Sequence, residues 1–180
     1  IDGKDVVLYV GRLHRVKHVC DLIHAFKKIY ENNKNAVLLI AGEGVLESTL
    51  KSMVEENALG KSVLFLGSKN GKELANLFST VDVVVQPHGG QVLLEAALAA
   101  TPCVVYDFDW HREFVEDGKM GFIVPFRDTE KLAEETQKLL RNKELKRQMG
   151  FYSREVATVK YSREKSIENE GAVFRESVRG

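Results

Sequence analysis

Short, nearly uninterrupted runs of aliphatic and β-branched residues alternate with stretches whose apolar residues recur at helical spacing, and that alternation restricts the chain to few architectures. Val6 to Val10, Ala36 to Ala41, Val63 to Leu66, Val81 to Gln86 and Cys103 to Tyr106 read as strands, with a short further one at Phe122 to Val124. Continuous rather than alternating apolarity marks strands covered on both faces, as in a parallel sheet. Between them, Val19, Leu22, Ile23, Phe26 and Ile29 make one helical face and Leu46, Leu50, Met53 and Val54 another; Leu74, Leu77 and Phe78 continue the pattern. This predicts an α/β domain, a Rossmann-like, doubly wound three-layer α/β/α arrangement around a parallel sheet of about six strands. After Pro125 the chain turns polar and helical. Asp128 or Thr129 caps a helix through Leu140, a second helix spans Glu144 to Val156, and Ser162 to Val178 reads as a weakly amphipathic third.

Composition narrows the function classes. The 180 residues carry a formal net charge of zero, so no global field recruits nucleic acid or an anionic membrane. The most basic stretch, Lys138 to Arg147, reads as a solvated helix face. Cys20 and Cys103 lie in apolar surroundings and read as buried free thiols, which points to a reducing, cytoplasmic compartment. No apolar run reaches the roughly 18 residues of a membrane span. The chain opens on a strand without an initiating Met, which reads as a single domain over residues 1–180 taken from a longer protein. His14, His18, His24, His88 and His111 do not pair at metal-ligand spacing with cysteine or carboxylate, so no metal is expected. Neither a P-loop nor a G-x-S-x-G elbow occurs.

In an open α/β sheet, ligands bind beyond the carboxyl ends of the strands where the strand order reverses, so the loops after the strands should carry the chemistry. After the first strand, Gly11 allows a sharp exit, and Arg12 and Lys17 bracket a loop able to grip a diphosphate from two sides. Arg15 reads as a surface charge. After the second comes Gly42-Glu43-Gly44; Glu47 stands where a third glycine would complete a dinucleotide fingerprint, which argues against a dinucleotide site. Gly67 to Gly71 is polar and could approach a base. After the fourth strand, His88-Gly89-Gly90-Gln91-Val92-Leu93 leads into a helix expected from Gln91 or Val92 to about Ala99. The glycines let backbone approach an anion, and Glu95 sits one turn in, placed to accept hydrogen bonds from sugar hydroxyls. Phosphate at the tip and hydroxyls one turn down describe a sugar nucleotide.

These segments resemble a known family. Gly11-Arg12-Leu13 with Lys17, Gly42-Glu43-Gly44, Val63 to Gly67, Val92-Leu93-Leu94-Glu95-Ala96 with Pro102 to Val105, and Glu113 to Pro125 follow in the order and spacing of the donor-binding, C-terminal domain of retaining group 1 (family 4) glycosyltransferases. The resemblance covers Val6 to about Leu140. It implies one half of a two-domain GT-B fold, donor-diphosphate binding and leaving-group stabilisation by Arg12 and Lys17, ribose binding by Glu95, and phosphate contacts from backbone amides at about Gln91 to Leu93. It implies transfer of a hexose from a UDP-, GDP- or ADP-sugar, without cofactor, to a glycan or lipid-linked acceptor held by an N-terminal domain, through which any membrane contact would also run. The pattern departs from the family in places. Counting back from Glu95 by the spacing of E-G-F-G-x-V-x-L-E lands on Pro87, so the glutamate that contacts the transferred sugar is absent, which leaves substitution by His88 or Gln91, an unusual donor or an inactive protein as the alternatives. His18 replaces a glycine after the lysine. Asp109-Trp110 replaces a Gly-Gly pair, offering Asp109 and His111 as hydrogen-bond partners and Trp110 as either a sugar platform or a packing anchor. The alternatives are a sugar-nucleotide epimerase of the same architecture and a non-catalytic nucleotide-sugar-binding module.

Overall fold

The computed structural model describes residues 2–108 and 110–160. Six parallel strands form one sheet in the order β3-β2-β1-β4-β5-β6: β1 (Asp5–Val10), β2 (Ala36–Ala41), β3 (Val63–Gly67), β4 (Val83–Gln86), β5 (Cys103–Tyr106) and β6 (Gly121–Val124). The order reverses between β1 and β4, which pair in register Val7 with Val83 and Leu8 with Val84. This is the Rossmann-like α/β fold expected from the alternation.

Side chains alternate across β1, so Val7 and Tyr9 pack into one core and Val6 and Leu8 into the other. The first core is closed by α1 (Val19–Asn32), α2 (Glu47–Glu56) and α6 (Thr129–Arg141), through Leu22, Phe26, Leu50 and Leu132. The second is closed by α3 (Gly71–Thr80), α4 (Val92–Leu98) and α7 (Lys143–Lys160), through Phe78, Leu93 and Ala157. A short α5 (His111–Phe114) fills the crossover from β5 to β6.

Some boundaries differ from the sequence reading. β4 begins at Val83 rather than Val81, because Asp82 turns its carboxylate inward to accept the Val6 N–H at 2.7 Å and to pair with Lys146. α7 runs past Val156 to Lys160. Asp128 caps α6 through the Lys131 N–H at 2.9 Å, as its position predicts. The helix expected over Ser162 to Val178 lies outside the described residues. Among the described residues no helix is long and apolar enough to cross a membrane.

Candidate functional site

Because β1 and β4 are neighbours at the reversal, their outgoing loops lie side by side. Gln86, buried at the end of β4, donates from Nε2 to the Val10 carbonyl at 2.5 Å. Two residues on, His88 Nδ1 contacts the Val16 carbonyl at 2.6 Å; a carbonyl only accepts, so Nδ1 carries the proton. The same ring packs edge-on against Phe108, 4.9 Å away. The β4–α4 loop is thus tied to the β1–α1 loop.

The β1–α1 loop is anchored from beneath. The fully buried Tyr9 donates its hydroxyl to the Arg12 carbonyl at 3.1 Å, and burial pushes its phenol pKa up. Leu13 is also fully buried, and its backbone pairs with Glu43 and Leu46. Gly42 and Gly44 make this approach feasible, since a Cβ would lie 2.0 Å from the Gly11 carbonyl oxygen and 2.4 Å from that of Leu13. Held this way, Arg12 projects into solvent and Lys17 is half-buried in a 3-10 turn spanning Arg15–Lys17. Among the described residues neither side chain has an ion pair or hydrogen bond. His18 is left-handed (φ 52°), which accounts for the glycine of the family pattern at this place. Its ring lies edge-on to Tyr106, Phe108 and Phe126, and burial is the main cause of its lowered pKa.

Beyond the strand ends a cavity of about 390 Å³ is lined by Gly11, Arg12, Gly42, Glu43, Ser68 and Lys69, with Leu74 at its border. The Gly67–Gly71 loop is fixed here because Glu43 Oε1 accepts the Ser68 N–H at 3.1 Å and Asn70 caps α3 in a reciprocal capping box with Glu73. Leu74 also borders a second cavity of about 500 Å³, lined by Phe78, Glu95, Leu98 and Arg154. The Glu95 carboxylate has no partner among the described residues, and desolvation raises its pKa.

The structure therefore brings Gly11, Arg12 and Gly42 together in one cavity and places Glu95 in its neighbour. Lys17 and Gly44 line neither of these. In the β4–α4 loop the Leu93 N–H bonds the Gly90 carbonyl at 3.0 Å and the Leu93 side chain is core. The amides of Gly90, Gln91 and Val92 have no acceptor among the described residues. His111, offered by sequence as a sugar partner, is fully buried: Nδ1 lies 2.7 Å from the Tyr106 carbonyl and Nε2 accepts the Gly89 N–H at 2.9 Å. Trp110 is half-buried and packs edge-on against His111 and Phe114, as a packing anchor does. Asp109 lies outside the described residues. Sequence reasoning also missed Asp21, buried in the first turn of α1. It accepts from the Tyr106 hydroxyl at 3.3 Å and pairs with Arg127 at 3.4 Å; nothing in the local pattern joins these three positions.

The model of the family described as glycosyl transferases group 1 matches residues 1–156. The chain is 27% identical to an alpha-D-kanosaminyltransferase of Streptomyces kanamyceticus, over 98% of this chain and 47% of that protein. Among solved structures it superposes on S. aureus TarM, in a complex with UDP and alpha-GlcNAc-glycerol, with a TM-score of 0.89 at 23% identity, over 95% of this chain and 35% of that one. It also superposes on the C-terminal domain of a Francisella tularensis glycosyl transferase group 1 family protein (TM-score 0.81, 20% identity, 89% and 88% covered). The chain spans about half the length of the curated relatives it matches.

Proposed function

The chain belongs to the group 1 glycosyl transferases, and we propose that it is the donor-binding domain of an enzyme that moves a hexose from a nucleoside diphosphate sugar to a glycan or lipid-linked acceptor with retention of configuration. One observation carries this reading: where the sheet order reverses, the loops bear cationic side chains and backbone amides that have no partner among the described residues. Arg12 and Lys17 would stabilise the negative charge that grows on the leaving diphosphate, and the free amides of Gly90 to Val92 would add donors to the same oxygens. Glu95 would hold the ribose, with the base over the cavity bordered by Gly11, Gly42, Ser68 and Lys69. The chain's own groups supply this electrostatic work, and the reaction so described uses no cofactor. The acceptor, and any membrane contact, would belong to a further N-terminal domain.

Isothermal titration of the 180-residue chain with UDP, GDP and ADP tests the reading: one of the three should bind, and Arg12→Ala and Lys17→Ala should each weaken it. Binding of none, or binding that ignores both substitutions, would sink it. A second reading has its own support, because Pro87 is buried at the place of the family's sugar-contacting glutamate. That favours a module that binds sugar nucleotides without turnover. Sugar transfer by the longer protein would exclude it.

A further inference from the structure

His111 and Gly89 are 22 residues apart in sequence, yet they meet in the interior beneath the loop that carries the proposed diphosphate contacts. The ring is fully buried, so both nitrogens need partners. Nδ1 faces the Tyr106 carbonyl at 2.7 Å, which can only accept, and Nε2 faces the Gly89 N–H at 2.9 Å, which can only donate. Together these contacts select the neutral tautomer with its proton on Nδ1. The fit also requires Gly89: a Cβ there would lie 2.6 Å from Leu93 Cδ1 and 3.2 Å from His111 Nε2.

We infer that His111 is a positioning residue of the ligand loop, which accepts the Gly89 amide at Nε2 and so fixes the backbone that presents the Gly90, Gln91 and Val92 amides. This rests on the donor-site reading above. His88 and Gly89 are consecutive and are held from opposite sides: His88 to the Val16 carbonyl in the β1–α1 loop, Gly89 to the ring at the start of α5. The loop is therefore set relative to both the Arg12 loop and the end of β5. A ring placed only to fill space would not need an acceptor at Nε2.

The first measurement needs no ligand. In the ¹⁵N-labelled chain, nuclear magnetic resonance should detect scalar coupling between the Gly89 amide and His111 Nε2, with the imidazole proton on Nδ1. A ring protonated at Nε2, or absent coupling, overturns the inference. The second compares UDP, GDP and ADP affinities of His111→Phe, His111→Asn and His111→Gln, with melting temperature recorded for each. Loss of one buried hydrogen-bond acceptor should weaken binding about tenfold in the Phe and Asn variants. Glutamine can return an oxygen near the Nε2 position and should recover to within about threefold of wild type. Affinities that follow melting temperature rather than the acceptor, or a glutamine that does not rescue, overturn the role. Failure of the wild-type chain to bind any of the three nucleotides removes the site itself; wild-type binding with unchanged variants removes only the role of His111.

Discussion

The two rims of the sheet use polar groups in opposite ways. At the amino ends of the strands they are matched within the chain. Asp82 accepts the Val6 N–H and pairs with Lys146, Asn33 donates to Asp5 at 2.8 Å, Asn35 to the Gly3 carbonyl at 2.6 Å, and Thr101 to the Phe78 carbonyl at 2.7 Å. At the carboxyl ends, Arg12, Arg15 and Lys17 have no ion pair among the described residues, and the Gly90, Gln91 and Val92 amides have no acceptor there. Paired groups hold the elements together. Groups left unmatched among the described residues are free to serve a ligand; they sit on the rim where an open α/β sheet binds one, and Arg12 lines a cavity there.

The sharpest way to break this contrast is to remove a cation from the unmatched rim. A charged hydrogen bond to phosphate contributes roughly 1.5–3 kcal/mol, so Arg12→Ala or Lys17→Ala should raise the nucleoside diphosphate dissociation constant about 10- to 100-fold by calorimetry. Stability in urea should move by no more than about 0.5 kcal/mol, since Arg12 is exposed, Lys17 is only half-buried and neither has a partner among the described residues. Asp82→Ala should show the reverse. It strands the Val6 N–H and leaves Lys146 unpaired, so unfolding free energy should fall by about 1–3 kcal/mol, with nucleotide affinity of the folded chain unchanged. A loss of affinity there would mean that the two rims are not separate in function.

Glu95→Gln refines the picture further. Desolvation raises the folded-state pKa of Glu95 above its unfolded value. Its ionisation therefore costs stability as pH rises through the folded pKa, and costs nothing below the unfolded pKa of about 4.3. The glutamine variant should melt higher than wild type near pH 7, converge with it near pH 4, and bind the nucleotide a few-fold more weakly. Equal melting curves at both pH values would show that the carboxylate is hydrated. The smallest effect belongs to Arg15→Ala: stability within about 0.5 kcal/mol and unchanged affinity, because Arg15 lines a different cavity, with His18, Asp21 and Arg127.

Legibility in the sequence followed the range of the interactions. Continuous apolar runs located β1, β2, β4 and β5, since a strand buried on both faces has no polar positions to spare, and they located the edge strand β3 as well, although Leu64 there is exposed. Asp128 announced the start of α6 because capping acts within a few residues. Gly42 and Gly44 were visible as a strand-to-helix turn, but what demands glycine, the close passage of Gly11 and Leu13, was not. Counting placed Glu95 one turn into α4; that its carboxylate has no partner among the described residues depends on how α3 and α7 close around it. His111 was misread as a candidate ligand group because its neighbours along the chain, Trp110 and Arg112, say nothing about the depth at which its ring lies.

Periodicity, glycine spacing and capping residues thus set the α/β alternation and the rim that bears the loops, because each acts between residues close along the chain. The late start of β4 after Asp82, the Asp21–Tyr106–Arg127 cluster and the His111–Gly89 hydrogen bond arise only once the sheet is assembled. Each joins groups many residues apart, and whether a buried polar atom meets a donor or an acceptor depends on packing that no local pattern encodes.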